Sequence, residues 1–204
     1  MAVELRKGQK ADLTKNNPNL KDILVTVDWQ ADSSIEIDTS AFLLGDNGKV
    51  SSDDDFVFYG NQNHSSQSVQ LQNNQIKINL SRVPAAVSKI AITLTIYSRH
   101  NFSQVKNSVL RLQGANGYDV ATFKLENFTV ETAIVLGEIY RYKGAWKFNA
   151  TGAGFKGGLA ALCKNFGIEV SDDMTAPPDI APPPPPKKIE HSAGSHCPIP
   201  GGSG

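Results

Sequence analysis

A chain of 204 residues with twenty basic and twenty acidic side chains has no formal net charge, which argues against an electrostatic footprint for nucleic acid or for an anionic membrane surface. The opening MAVELRKGQK lacks an apolar leader core, and no stretch approaches the roughly 18 apolar residues of a transmembrane helix, so the expectation is a cytoplasmic protein. Two cysteines, Cys163 and Cys197, make neither a disulfide framework nor a zinc pattern, and Cys163 reads as a small core residue.

Alternating or β-branched runs predict ten strands in chain order. The first two are Ile23–Trp29 and Ile35–Leu44. The second leads into Asp46-Asn47-Gly48, whose residues favour a tight turn, then into Asp53-Asp54-Asp55 and an aromatic strand, Phe56–Tyr59. Three adjacent carboxylates repel one another, and solvent exposure, basic neighbours or a hard cation such as Ca²⁺ relieve that repulsion. Further strands are Ser68–Leu71, Ile76–Leu80, Lys89–Ser98, Ser108–Leu112, Val120–Leu125, Ala133–Tyr142 and Ala145–Ala150, joined by turns at Asn73-Asn74, Asn116-Gly117 and Lys143-Gly144. A short helical turn fits around Pro84–Ser88. No helical pattern separates the strands, so the fold class is mainly β, an antiparallel two-sheet sandwich.

One helix is expected over Phe155–Phe166, with Phe155, Leu159, Leu162, Cys163 and Phe166 on one face and Gly167 as its stop. The domain is expected to fill residues 1–170. Residues 171–204, proline-rich and glycine-rich without periodicity, read as a disordered tail or linker, in part vector-derived, whose Pro182–Pro186 run favours polyproline II and could recruit protein partners.

Four ordered blocks carry a resemblance. They are Val3-Glu4-Leu5-Arg6-Lys7-Gly8-Gln9-Lys10, Ser40–Asn61, RVPAAVSKIAITLTIYSRHNFSQVKNSVLRL from Arg82, and GEIYRYKGAWKFNATGAGFKGGLAALCKNFG from Gly137. With them the chain resembles the tellurium-resistance (TerD) family of bacterial stress proteins over residues 2–169. The resemblance implies a β-sandwich that binds Ca²⁺ through acidic loops at one end, without established catalysis. The family also includes a cAMP-binding relative.

Carried over residue by residue, the resemblance implies a metal site of Asp38, Asp53, Asp55 and Asn61. This sequence departs from the family pattern with Gln30 after Trp29 and Glu36 before Asp38, and Asn63-His64-Ser65-Ser66-Gln67 stands where the family carries a long acidic insertion. The implied site is therefore one reduced Ca²⁺ site, completed by carbonyls and water.

Other constellations are weaker. Gly152-Ala153-Gly154-Phe155-Lys156-Gly157 fits G-x-G-x-x-G after a strand and before a helix, an alternative nucleotide site, although close packing explains the glycines as well. His64 and His100 fall in loops without a nucleophile or carboxylate at motif spacing, and His191, His196 and Cys197 lie in the tail. Trp29 and Trp146 read as core anchors, and Glu138 and Arg141, an odd separation apart, as residues of opposite strand faces.

Overall fold

The computed structural model describes residues 2–15, 17–97 and 99–169. The expected tail, its polyproline run and the histidines and cysteine within it lie outside the described residues. Among the described residues twelve strands form two six-stranded sheets packed face to face, with one helix on the outside of the second. The strands are β1 (Val3–Leu5), β2 (Lys10–Asp12), β3 (Asp22–Gln30), β4 (Ile37–Leu44), β5 (Phe56–Val57), β6 (Val69–Gln72), β7 (Gln75–Asn79), β8 (Lys89–Ile96), β9 (Lys106–Gly114), β10 (Asp119–Leu125), β11 (Ala133–Tyr142) and β12 (Ala145–Phe155), followed by α1 (Gly158–Phe166).

The first sheet runs β1-β10-β9-β3-β7-β6 and the second β2-β12-β11-β8-β4-β5, antiparallel except where β1 joins β10. Strands β1 and β2, absent from the expected set, pair at an edge of different sheets, so residues 3–12 stitch the two layers together. The Gly8 N–H reaches the Ala150 carbonyl at 2.6 Å and the Ala150 N–H reaches the Gln9 carbonyl at 2.9 Å.

Period-2 patterning decides which side chains meet between the sheets. Ile23 and Val25 of β3 and Leu110 and Leu112 of β9 face Ala41 and Leu43 of β4, Ile90, Ile92 and Leu94 of β8, and Phe148 of β12 in one buried cluster. The reverse face of the second sheet is apolar as well: Phe42, Leu44, Phe56, Ala91, Ala133 and Val135 lie under Leu159, Leu162, Cys163 and Phe166 of α1. This double coverage explains why β8 reads KIAITLTI and is buried at all but its first residue.

Helix α1 starts three residues later than the periodicity predicts, because Phe155 still belongs to β12 and pairs with Ala133. The Gly157 and Gly158 N–H groups donate to the Thr132 hydroxyl at 3.2 and 2.9 Å. Gly167, at φ 88°, closes the helix, with the Ile168 N–H bonded to the Cys163 carbonyl at 2.9 Å. Pro84–Ser88 forms a turn closed by the Val87 N–H to the Pro84 carbonyl, and no helix forms there.

Asn73-Asn74 and Lys143-Gly144 have positive φ at both central residues, as tight hairpins between strongly twisted strands require. Asp46-Asn47-Gly48 turns the chain, but β5 does not follow at once. The Val50 N–H first bonds to the Phe166 carbonyl at 3.0 Å, tying this loop to the end of α1.

Candidate functional site

The four expected metal ligands occupy two places. In the β4–β5 register Phe56 stands opposite Phe42 and Val57 opposite Ala41. Asp55 is then level with Leu43, five residues along β4 from Asp38, roughly 17 Å at about 3.4 Å per residue. Asp53, Asp55 and Asn61 belong to one loop system, and Asp38 does not join it.

Asp53–Asp55 is a 3₁₀ turn that enters β5. Asp55 is buried, and its Oδ2 accepts the Ser51 and Ser52 N–H groups at 2.8 and 3.0 Å. Ser52 three residues before Asp55 is a helix-start spacing legible in the sequence. Asn61 turns its amide nitrogen inward to the carbonyl of Phe56 at 2.9 Å and that of Asp54 at 3.5 Å. Asp53 stays exposed.

The loop 63–68 folds over this turn. His64, 4% exposed, brings Nε2 to 3.2 Å from Asp55 Oδ1 and 3.4 Å from Asp54 Oδ2. On its other side Nδ1 accepts the Ser66 N–H at 3.1 Å and lies 2.7 Å from Ser66 Oγ. An ionised carboxylate only accepts, which assigns a hydrogen to Nε2, the nitrogen that faces Asp55. The Ser65 N–H adds bonds of 3.1 and 3.3 Å to Asp54. The Ser65 side chain is the largest cause holding the Asp54 carboxyl below the usual carboxylate range; the Ser65 N–H and then His64 add to it, against a raising effect of burial.

His64, which has no carboxylate at motif spacing in the sequence, thus has two beside it in the fold. Nothing in local spacing announces the contact, because the partners lie nine and ten residues back and the chain is turned back on them by the Phe58–Asn61 and Asn63–Gln70 bridges. The order Asp55–His64–Ser66 is that of an acid–base relay, yet Ser66 Oγ donates its hydrogen to Ser68 Oγ at 2.8 Å and not to the imidazole.

Calcium asks for six to eight oxygens. Here both Asp55 oxygens are taken, Asn61 directs its nitrogen to the backbone, and Asp38 stands apart. Among the described residues no group of three or more His, Cys, Asp or Glu side chains is arranged to hold a metal ion. The residues as arranged do not fit a calcium centre.

Asp38 lies half-buried on β4, opposite Thr95 of β8. Burial raises its carboxyl above the ordinary range, and the Glu36 charge adds to the effect. Burial likewise pushes the Tyr97 phenol up to about 12, opposed by a bond to Thr95 and reinforced by Asp38, Tyr59 and Cys163. Phe42, Phe56, Phe58 and Tyr59 form a ring-on-ring ladder at centroid spacings of 4.4, 4.4 and 5.1 Å that ends in the exposed Tyr59.

The glycine motif has a different role from the one a nucleotide site needs. Gly152 and Gly154 lie inside β12, and the Gly157 and Gly158 N–H groups at the start of α1 donate to Thr132, so those two are not open to a phosphate. Gly152, at φ 54°, sits at an irregularity where β12 slips relative to β11. Glu138 pairs with Lys89 at 3.3 Å, whereas the Arg141 guanidinium donates to the Val83, Pro84 and Val87 carbonyls and stacks 4.5 Å above Trp146. Trp146 is buried; Trp29 packs against the core only in part.

The TerD domain family model matches residues 1–166. The chain is 40% identical over 192 residues to the tellurium resistance protein TerD of Serratia marcescens, an alignment covering 84% of this chain and all of that protein. It is 37% identical over 196 residues to general stress protein 16U of Bacillus subtilis (strain 168), covering 83% of this chain and all of the relative. The fold is similar to the crystal structure of a homologue of telluride resistance protein (TerD) from Streptomyces coelicolor A3(2), at a TM-score of 0.57 and 15% identity, over 78% of this chain and all of that one. Among the described residues no helix is long and apolar enough to cross a membrane. On the family match and the identity along nearly its whole described length, the chain belongs to the TerD family of tellurium-resistance and stress proteins.

Proposed function

We propose that this chain is a non-enzymatic stress-response module of the TerD type that acts by contact, through the pre-formed acidic turn at Asp53–Asp55 and the exposed aromatic Tyr59 beside it. One observation carries the reading: the Asp54 and Asp55 carboxylates are satisfied by the Ser51, Ser52 and Ser65 N–H groups and by His64, which leaves a shaped surface with Asp53 exposed. The names of the tellurium-resistance and general-stress relatives supply the biological setting.

Chemistry at thiols does not enter this reading. Cys163 is buried and its thiol is pushed up to about 11 by that burial, so it offers little thiolate to reduce or hold tellurite. Calcium, implied by the resemblance, does not enter it either, since the expected ligands are divided between two places.

The test is growth of a tellurite-sensitive host that lacks its own relatives. Expression of this chain should raise the tolerated tellurite concentration, and Asp53→Lys together with Tyr59→Ala should remove the gain while the purified variant keeps the wild-type melting temperature. Equal tolerance with and without the chain would sink the reading.

A further inference from the structure

We propose that in this chain the imidazole of His64 does the work that a divalent ion would do at an acidic turn: it seats a donor between the Asp54 and Asp55 carboxylates and closes the turn with no ion at all. The inference rests on the geometry of His64 and is independent of what the module contacts in the cell.

Adjacent carboxylates at a strand mouth need something between them. A calcium ion supplies positive charge but demands a full oxygen shell. His64 supplies an N–H that bonds to Asp55 Oδ1 at 3.2 Å, with Asp54 Oδ2 3.4 Å from the same nitrogen, from a ring that is almost wholly buried. The ring cannot swing away freely. The Ser66 N–H holds Nδ1, the His64 N–H bonds to the Val69 carbonyl at 3.0 Å, and the His64 carbonyl accepts the Gln67 N–H at 2.8 Å.

Backbone donors complete the arrangement. Ser51 and Ser52 serve Asp55 from the N-terminal side, and Ser65, next to the imidazole, serves Asp54. A cation at this point would have to displace the ring and strip these bonds. The segment 63–67, Asn-His-Ser-Ser-Gln, carries no carboxylate of its own, so the loop that delivers the imidazole adds no oxygen ligand of that kind.

The consequence is a turn that is insensitive to calcium in the native chain and becomes sensitive when the imidazole is removed. His64→Asp puts a third carboxylate beside Asp54 and Asp55, whereas His64→Gln keeps an N–H that can reach them. Melting temperatures are compared in EDTA and in 10 mM Ca²⁺ (roughly ten times a millimolar-range Kd), with calorimetric titration of Ca²⁺ into the native chain.

Expected are no shift and no binding heat for the native chain and for His64→Gln. For His64→Asp the melting temperature should be lower in EDTA and recover by about 4 °C with calcium. Submillimolar Ca²⁺ binding by the native chain would overturn the proposal, as would a His64→Asp variant as stable as the native chain in EDTA. Should His64→Asp fold only with calcium present, that dependence is the expected result in its strongest form; should it not fold at all, the native titration and His64→Gln decide.

Discussion

The Nε2 of His64 lies 3.2 Å from Asp55 Oδ1 while the other Asp55 oxygen accepts two backbone N–H groups, so one carboxylate joins the loop before β5 to the loop before β6. Both residues are buried. Removing the carboxylate strands the buried His64 N–H, which costs about 1–3 kcal/mol, and takes the acceptor from the Ser51 and Ser52 N–H groups at the exposed start of the turn. Asp55→Ala is expected to lower unfolding free energy in urea by at least about 2 kcal/mol with an unchanged denaturant slope. Asp53→Ala, at an exposed position in the same turn, should change it by less than about 0.5 kcal/mol. Equal effects at the two positions would contradict the clamp.

Asp38 poses the opposite case. Its carboxyl is half-buried, raised by that burial and by the Glu36 charge, and has no ion-pair partner among the described residues. An ionised group in that position costs stability at neutral pH. Asp38→Asn keeps the shape and discards the charge, and should raise stability by about 0.5 kcal/mol or more at pH 7 in calcium-free buffer. A lower melting temperature for the variant would mean that the carboxylate has a favourable partner there.

Tyr97 gives a pH prediction with a definite sign. Burial is the main cause of a phenol pushed from 10.0 up to about 12, so the folded chain holds this proton where the unfolded chain has released it. Stability that is whole below the ordinary tyrosine value is then lost as pH rises from about 10 to about 12. Tyr97→Phe should flatten that part of the profile. Ultraviolet titration of the native chain should show a phenol ionising late that is missing from the variant, and identical titration curves would refute the assignment.

The sandwich was legible because its strands repeat with period 2 between turns of Asn and Gly, and the double burial of β8 is visible as an unbroken apolar run. Strands β1 and β2 escaped because three residues carry no periodicity; their pairing is decided by partners more than a hundred residues away. The acidic turn was legible as a cluster of charge, but the identity of its counter-group was not. Asp38 and Asp55 look close when strands are read as a series of junctions, yet register puts them at different levels of β4, and register depends on the whole sheet. His64 needed the hairpin β6–β7 to be in place before its carboxylates could be named.

Gly137 tests how tightly β11 and β12 of the second sheet are packed. It stands in β11 opposite Ala150 of β12, and a Cβ added there would lie 2.3 Å from Cζ of Phe148 and 2.7 Å from the Asn149 carbonyl oxygen. The Phe148 ring is fully buried in the core between the sheets, and the carbonyl belongs to the neighbouring strand, so neither can retreat without moving its surroundings. Overpacking of this kind costs about 1–3 kcal/mol. At about 3 °C per kcal/mol for a chain of this size, Gly137→Ala should melt several degrees below the native protein. Phe148→Leu in the same chain should recover part of that loss, because the smaller side chain vacates the space the new methyl group enters. If Gly137→Ala melts with the native protein, or if the second change only adds to the damage, the ring is not what requires glycine at this position.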